Sequence, residues 1–216
     1  MKKILLIITV FILLAGLAMS QDKPASLGFK PSSYYTFSWN TTFTMGDFNK
    51  WVGNASPAGF DLGGRYLIKG GLAAGFNIGW QRVSQMYGYQ TYIGPDGTAL
   101  TATNYRFTWL VPFQGVIAYH FIPDRMVSPY VGLGIGGDYM EHHLLVQEYD
   151  LYRTRWDFSL TPEVGAVIKF GYFSQWGALV AFNYKYTTNK IELYNDRISK
   201  NLQMLNLKVG LSLMIR

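Results

Sequence analysis

From Tyr34 to Met45 the chain alternates almost without fault. Tyr35, Phe37, Trp39, Thr41, Phe43 and Met45 occupy the odd positions, and Tyr34, Thr36, Ser38, Asn40, Thr42 and Thr44 the even ones. A period of two marks a strand with one apolar and one polar face. The longest example runs from Tyr105 to Phe121, with Tyr105, Phe107, Trp109, Val111, Phe113, Ile117, Tyr119 and Phe121 on one face and Arg106, Thr108, Gln114 and His120 on the other. It exceeds the usual strand of a soluble sheet and carries rings at both ends. A strand of about ten residues crossing a bilayer, with aromatics at each interface, has this form.

The same pattern returns along the whole chain. Phe60, Leu62, Tyr66 and Ile68 oppose Asp61, Gly63, Arg65 and Lys69; Leu72, Phe76, Ile78 and Trp80 oppose Ala73, Asn77 and Gln81. Val131, Leu133, Ile135 and Tyr139 oppose Gly132, Gly134, Gly136 and Asp138, and Trp156, Phe158, Val164 and Ile168 oppose Arg155, Asp157, Glu163 and Lys169. Val180, Phe182 and Tyr184 face away from Asn183 and Lys185, and Leu205 to Ile215 ends the series with Asn206, Lys208 and Ser212 on its polar face. This makes eight strands. The links between them alternate in length: those near 46–57, 84–103, 141–154 and 188–201 are long and polar, and the others are short, as at Gly70-Gly71. In an up-and-down meander, alternate links share an end, which is the habit of membrane barrels with long outer loops and short periplasmic turns. An even strand number lets the first strand pair with the last, removing the edges that a bilayer cannot solvate.

Volume sets the polarity. An eight-strand barrel is only just wide enough for side chains, and the ring-rich faces would overfill it. The apolar faces therefore point to lipid and the faces rich in Gly, Ser and Thr point to the lumen. The expected fold is an all-β, eight-stranded antiparallel up-and-down transmembrane β-barrel with a polar lumen.

Composition adds the compartment. Lys2 and Lys3 precede an apolar run from Ile4 to Leu17 and then Ala18-Met19-Ser20, the layout of a cleavable secretory signal. The expected organisation is a signal peptide at 1–20, a Pro-containing lead-in at 21–33 and a barrel from 34 to 216. The chain has no Cys, so it is not a disulfide-stapled secreted domain. Its formal charge of +6 includes the two signal lysines and forms no basic run, so nucleic acid is not an expected partner.

With its signal peptide, Val111-Pro112-Phe113 to Phe121, Ser128-Pro129-Tyr130-Val131-Gly132-Leu133-Gly134-Ile135-Gly136 and the final strand Leu205 to Arg216, the chain resembles the small outer-membrane β-barrel family, the OmpA transmembrane-domain, OmpX and OmpW-like group. The resemblance implies a monomer in the cell outer membrane of a Gram-negative-type envelope, in contact with lipid and lipopolysaccharide and inserted by the barrel-assembly machinery. Two departures stand out. The chain ends Met214-Ile215-Arg216 rather than in an aromatic residue, and no peptidoglycan-binding domain follows the barrel, so no cell-wall tether is implied.

Three groups of residues are candidates for function. The lumen is expected to hold Asp61, Arg65, Lys69, Gln81, Arg106, His120, Asp138, Arg155, Asp157, Glu163, Lys169, Asn183, Lys185 and Lys208. Buried charges must pair, so the expected arrangement is a neutralised polar plug; the alternative is a narrow channel or transporter for a small hydrophobic or ionic solute in the OmpW manner. Inward apolar residues of any size are Leu67, Leu110, Val116 and Met140. Glu141, His142 and His143 are adjacent, but neighbours on a strand face opposite ways, so no metal site or cofactor is expected. His142, His143, Ser84 and Asp150 match no catalytic motif, so an enzyme ranks third. The outer loops offer Tyr87, Tyr89, Tyr92, Tyr149, Tyr152 and Arg153, residue types suited to protein or glycan contact. A non-enzymatic structural or surface-interaction role is the expected function.

Overall fold

The computed structural model describes residues 31–93, 97, 99–146, 149–188, 191–193, 196–199 and 201–216, without the side chains of 90, 92, 93, 100, 102, 191–193 and 196–199. The expected signal peptide lies outside the described residues, as does all but the end of the lead-in. The elements in chain order are β1 (Ser33–Met45), α1 (Phe48–Trp51), β2 (Gly59–Leu67), β3 (Leu72–Ile93), β4 (Ala99–His120), β5 (Val127–Val146), β6 (Tyr149–Lys169), β7 (Trp176–Thr187), β8 (Ile191–Leu193), β9 (Asp196–Ser199) and β10 (Leu202–Ile215). The sheet closes in the order β1-β10-β7-β6-β5-β4-β3-β2, with β8 and β9 as a separate two-stranded hairpin. Every neighbouring pair in the barrel is antiparallel, and β1 closes on β10 from Ser33↔Ile215 to Met45↔Gln203.

Side-chain parity follows the alternation. In β4, Phe113 is 43% exposed and Gln114 6%, so the ring meets the surroundings and the amide the lumen. The outward face carries Trp39, Phe60, Leu62, Phe76, Ile117, Leu133, Ile135 and Leu211, all exposed. Trp109, Tyr139 and Trp156 form one aromatic row, with centroid distances of 5.5 and 5.3 Å, and Tyr119 and Phe121 meet edge to face at the opposite end. Lipid is the solvent such a surface fits. At the short-turn end, Gly70 and Gly71 have φ of 64° and 88°, the left-handed region that glycine enters without steric cost. The β2–β3 turn therefore sits there, and it carries Lys69 on the exposed surface rather than in the lumen.

The strands differ in length far more than the alternation suggests. β3 and β4 run 22 residues each, β5 20 and β6 21, whereas β1, β2, β7 and β10 run 13, 9, 12 and 14. A tilted strand crosses hydrocarbon in about 9–11 residues. The four long strands therefore continue well past the barrel rim. Most of 84–103 and 141–154, expected as loops, is ladder: Met86 pairs with Tyr105, Thr91 with Thr101, His142 with Arg153 and Val146 with Tyr149. These stretches read as polar loops because beyond the bilayer the outward face of a strand meets water and need not be apolar, although the inward face stays buried at Asn104, His142, Leu144 and Val146; their Tyr, Thr and Gln remain compatible with a strand.

Candidate functional site

The lumen is built in three layers. The middle one is polar and centres on Lys208, whose Nζ lies 2.8 Å from Asp61 Oδ2 and 3.1 Å from Glu163 Oε2. Asn40 donates to Asp61 Oδ2, and Asn77 donates to Asp61 Oδ1 at 3.3 Å. Tyr130 donates to Glu163 Oε1 at 2.8 Å and Asn183 to Oε2 at 3.3 Å, while Asn206 donates to Asn183 at 2.8 Å. Beside it, Asp138 accepts from Thr187 at 2.8 Å and from Ser159 at 3.0 Å, with Lys185 Nζ at 3.4 Å. Gln114 donates to Ser159 at 2.9 Å and Thr161 at 2.8 Å. Arg65 donates to the carbonyls of Gly64 and Phe76. Each of these buried charges thus faces an opposite charge or more than one dipole, which is what removal from water demands.

The arrangement depends on a glycine. A Cβ at Gly79 would strike Asp61 Oδ1 and the Phe60 carbonyl, so the missing side chain gives Asp61 its place against Lys208.

At the short-turn end the floor combines Tyr34, Ala73, Ala118, Tyr130, Val167 and Met214. Tyr34 Oη lies 3.0 Å from His120 Nε2, and His120 Nδ1 lies 3.0 Å from Ser128 Oγ. Lys169 is buried beside a void of about 20 Å³ there, and a second void of about 10 Å³ adjoins Arg65, Glu163 and Lys208. Such volumes hold roughly one water each.

The outer layer is apolar. The link after β1 folds inward, and Phe48, Trp51 and Val52, each wholly buried, pack with Val83, Leu110, Met140, Leu144, Val146, Leu202 and Met204. Trp51 Nε1 donates to Thr108 Oγ1 at 3.2 Å, and Thr108 Oγ1 lies 2.8 Å from His142 Nδ1. The Arg106 guanidinium stacks over the Trp51 and Tyr87 rings at 5.1 and 4.4 Å. Tyr87 donates to the Trp51 carbonyl at 3.1 Å. Leu110 and Met140 belong to this layer, and Phe48, Trp51, Val52, Leu144 and Val146, half of it, come from segments expected as loops. The usable signal was Phe48, Trp51 and Val52 at one-turn spacing inside an otherwise polar link.

Other predicted residues distribute as follows. Asp61, Arg65, Gln81, His120, Asp138, Lys169, Asn183, Lys185 and Lys208 are buried in the lumen. Arg155 and Asp157 pair at 3.6 Å on the inward face near the rim, Arg155 partly exposed. Tyr87 is half-buried against α1, so it is part of the plug rather than a free contact residue. Tyr89, Tyr149, Tyr152 and Arg153 are exposed, and the Tyr92 side chain lies outside the described residues.

Above the rim, β3 to β6 continue as a four-stranded sheet. One row crosses it on the outward face. The Arg82 guanidinium lies 4.7 Å from the Phe107 centroid, Phe107 stacks on His143 at 4.3 Å and 8°, and His143 stacks on Tyr152 at 5.7 Å and 21°. His143 also lies 3.0 Å from Asp150 Oδ2 and 3.3 Å from Glu141 Oε2. His142 faces the lumen and His143 the outside, and among the described residues no group of three or more His, Cys, Asp or Glu is placed to hold a metal.

No protein-family model and no curated sequence matches the chain. Solved structures do. Neisserial surface protein A (NspA) is 13% identical over 85% of this chain and 97% of that one, with a TM-score of 0.50. Ail, the attachment invasion locus protein of Yersinia pestis, solved with the heparin analogue sucrose octasulfate, is 13% identical over 85% and 99%, with a TM-score of 0.45. The outer membrane protein AlkL is 18% identical over 92% and 97%, with a TM-score of 0.42. At such identities the likeness speaks for fold, and NspA carries it: this chain has the fold of the small eight-stranded outer-membrane β-barrels.

Proposed function

We propose that this protein is a non-enzymatic barrel of the cell outer membrane that acts above the membrane, through contact between its projecting β3–β6 sheet and an extracellular protein or glycan. The reading includes export by a signal peptide at 1–20, insertion by the barrel-assembly machinery as a monomer, and lipopolysaccharide around the outer rim. The observation that carries it is the contrast between the two ends of the molecule. Among the described residues, α1, the Lys208 network and the tyrosine floor fill the lumen, and the voids beside the network and the floor measure about 10 and 20 Å³, which favours contact over conduction. The long strands, in turn, lift Tyr89, Tyr149 and Tyr152, 81, 72 and 67% exposed, well clear of the rim. Exposed rings on a rigid sheet offer contact area at little entropic cost.

The test compares the full protein with a variant in which the β3–β4 and β5–β6 hairpins are cut back to the rim and closed by short turns. Both are displayed on cells and probed with extracellular-matrix proteins and a glycan array. Loss of binding in the shortened variant, with the barrel still shifting mobility on heating, is the expected result. Equal binding by both would refute the reading.

A further inference from the structure

The middle layer of the lumen balances its charges, and the floor does not. Lys169, the last residue of β6, faces inward and is 4% exposed, and its backbone N–H is fixed to the Met126 carbonyl at 2.8 Å. Among the described residues its ammonium has no hydrogen bond or ion pair, and the exposed Asp124 on the β4–β5 link acts on it only through space. The same side chain lines the floor void of about 20 Å³, together with Tyr34 on β1, His120 on β4 and Ser128 on β5. A buried ammonium requires a counter-charge, and no residue lining this void is acidic.

The hydrogens around the void point the same way. Tyr34 Oη lies 3.0 Å from His120 Nε2, and Ser128 Oγ lies 3.0 Å from His120 Nδ1. A neutral imidazole carries one N–H and one bare nitrogen, so it donates to one of these hydroxyls and accepts from the other. The hydroxyl that accepts keeps its own hydrogen. Neither oxygen has a second partner among the described residues, so one O–H is left to donate whichever tautomer is present. The floor therefore presents an ammonium and a spare hydroxyl hydrogen to a space that holds one water-sized body.

We infer that the floor of the barrel binds a monovalent, water-sized anion of the halide class, held between the Lys169 ammonium and the hydroxyl of Ser128 or Tyr34. Water accepts a hydrogen bond from the ammonium but leaves its charge unbalanced, whereas an anion supplies both the acceptor and the charge. The size of the void excludes sulfate and phosphate. Its remaining walls include Leu67, Val167 and Met214, which disfavour a strongly hydrated ion. Bound there, the anion ties the end of β6 to β5 or β1 and so braces the short-turn end of the barrel. The site is separate from the contact surface above the rim and does not depend on it.

The test uses the full protein in two forms: crystals grown in sodium bromide, read for anomalous scattering, and lipid nanodiscs in sodium chloride, read by chloride NMR line width. The expected result is bromide within hydrogen-bond reach of Lys169 Nζ and of the Ser128 or Tyr34 oxygen, with line broadening that added bromide competes away and sulfate leaves. Lys169→Gln weakens chloride binding by roughly tenfold or more, and Lys69→Gln, at the exposed lysine of the β2–β3 turn, leaves it unchanged. The double variant Tyr34→Phe, Ser128→Ala keeps the ammonium and weakens binding by roughly threefold or more. Heat-modifiability shows whether each variant folds; where Lys169→Gln does not, the bromide crystals and the double variant decide. Water in the expected bromide position, an ammonium paired with a carboxylate of the protein, or broadening that survives Lys169→Gln would overturn the inference. So would displacement by sulfate as effective as by bromide, or bromide at crystal concentration without Lys169-dependent broadening, which marks an adventitious ion only.

Discussion

Lys208 on β10 bridges the lumen to Asp61 on β2 at 2.8 Å, and the same ammonium reaches Glu163 on β6 at 3.1 Å. One cation thus ties together strands from opposite walls of the barrel. Removing it leaves two carboxylates facing a low-dielectric interior. Lys208→Met should cost about 3–5 kcal/mol, the usual penalty for breaking a buried pair. Urea unfolding in lipid vesicles, followed by tryptophan fluorescence, measures it. Adding Asp61→Asn should recover part of the loss, because it removes one of the stranded charges.

Space beside Asp61 is as necessary as its partner. Gly79→Ala places a methyl group against Asp61 and the Phe60 carbonyl, whereas a Cβ at Gly88 meets nothing within 4 Å. The first change should destabilise by about 1–3 kcal/mol through overpacking. In the same unfolding assay, Gly88→Ala should leave the midpoint nearly unchanged, and equal effects at both sites would contradict the packing described.

Two adjacent residues report on which face meets lipid. Phe113→Lys puts a charge on the outward belt and should cost about 2–4 kcal/mol near the bilayer midplane, seen as slow or failed folding into vesicles. Gln114→Ala deletes donors to Ser159 and Thr161. It should still insert, with a loss of about 1–3 kcal/mol from unsatisfied partners.

Trp51 closes the outer mouth without being the sole barrier. Trp51→Ala should lose about 3–5 kcal/mol, as for other buried tryptophans. Planar-bilayer recordings of both the wild type and the variant should stay silent, because the Lys208 layer and the tyrosine floor remain below. Discrete conductance steps from the wild type would show that the lumen opens.

Much of this could be read along the chain. The alternation at Tyr34–Met45 and Tyr105–Phe121 identified the strands, and volume assigned Phe113 to the outside and Gln114 to the lumen. The charged lumen residues followed from parity alone. Their partners did not: nothing in the spacing of Asp61, Glu163 and Lys208 tells that β2, β6 and β10 bring them to one point, because that depends on register and on how far the barrel closes. The apolar outer layer was hidden for another reason. Phe48, Trp51 and Val52 lie in a link, and Leu144 and Val146 lie where the two-residue period no longer separates lipid from lumen.

The sequence by itself determined the strand period, the strand number and the side of each strand that meets lipid, because a bilayer enforces strict alternation and an eight-strand lumen admits only small and polar side chains with few exceptions. Beyond the rim, the outward face meets water instead of lipid and that constraint disappears. There, only the tertiary structure decided that β3 to β6 run on as a sheet and that α1 turns inward as a plug. Those outcomes depend on cross-strand pairing and on which neighbour ends first, neither of which leaves a period in the sequence.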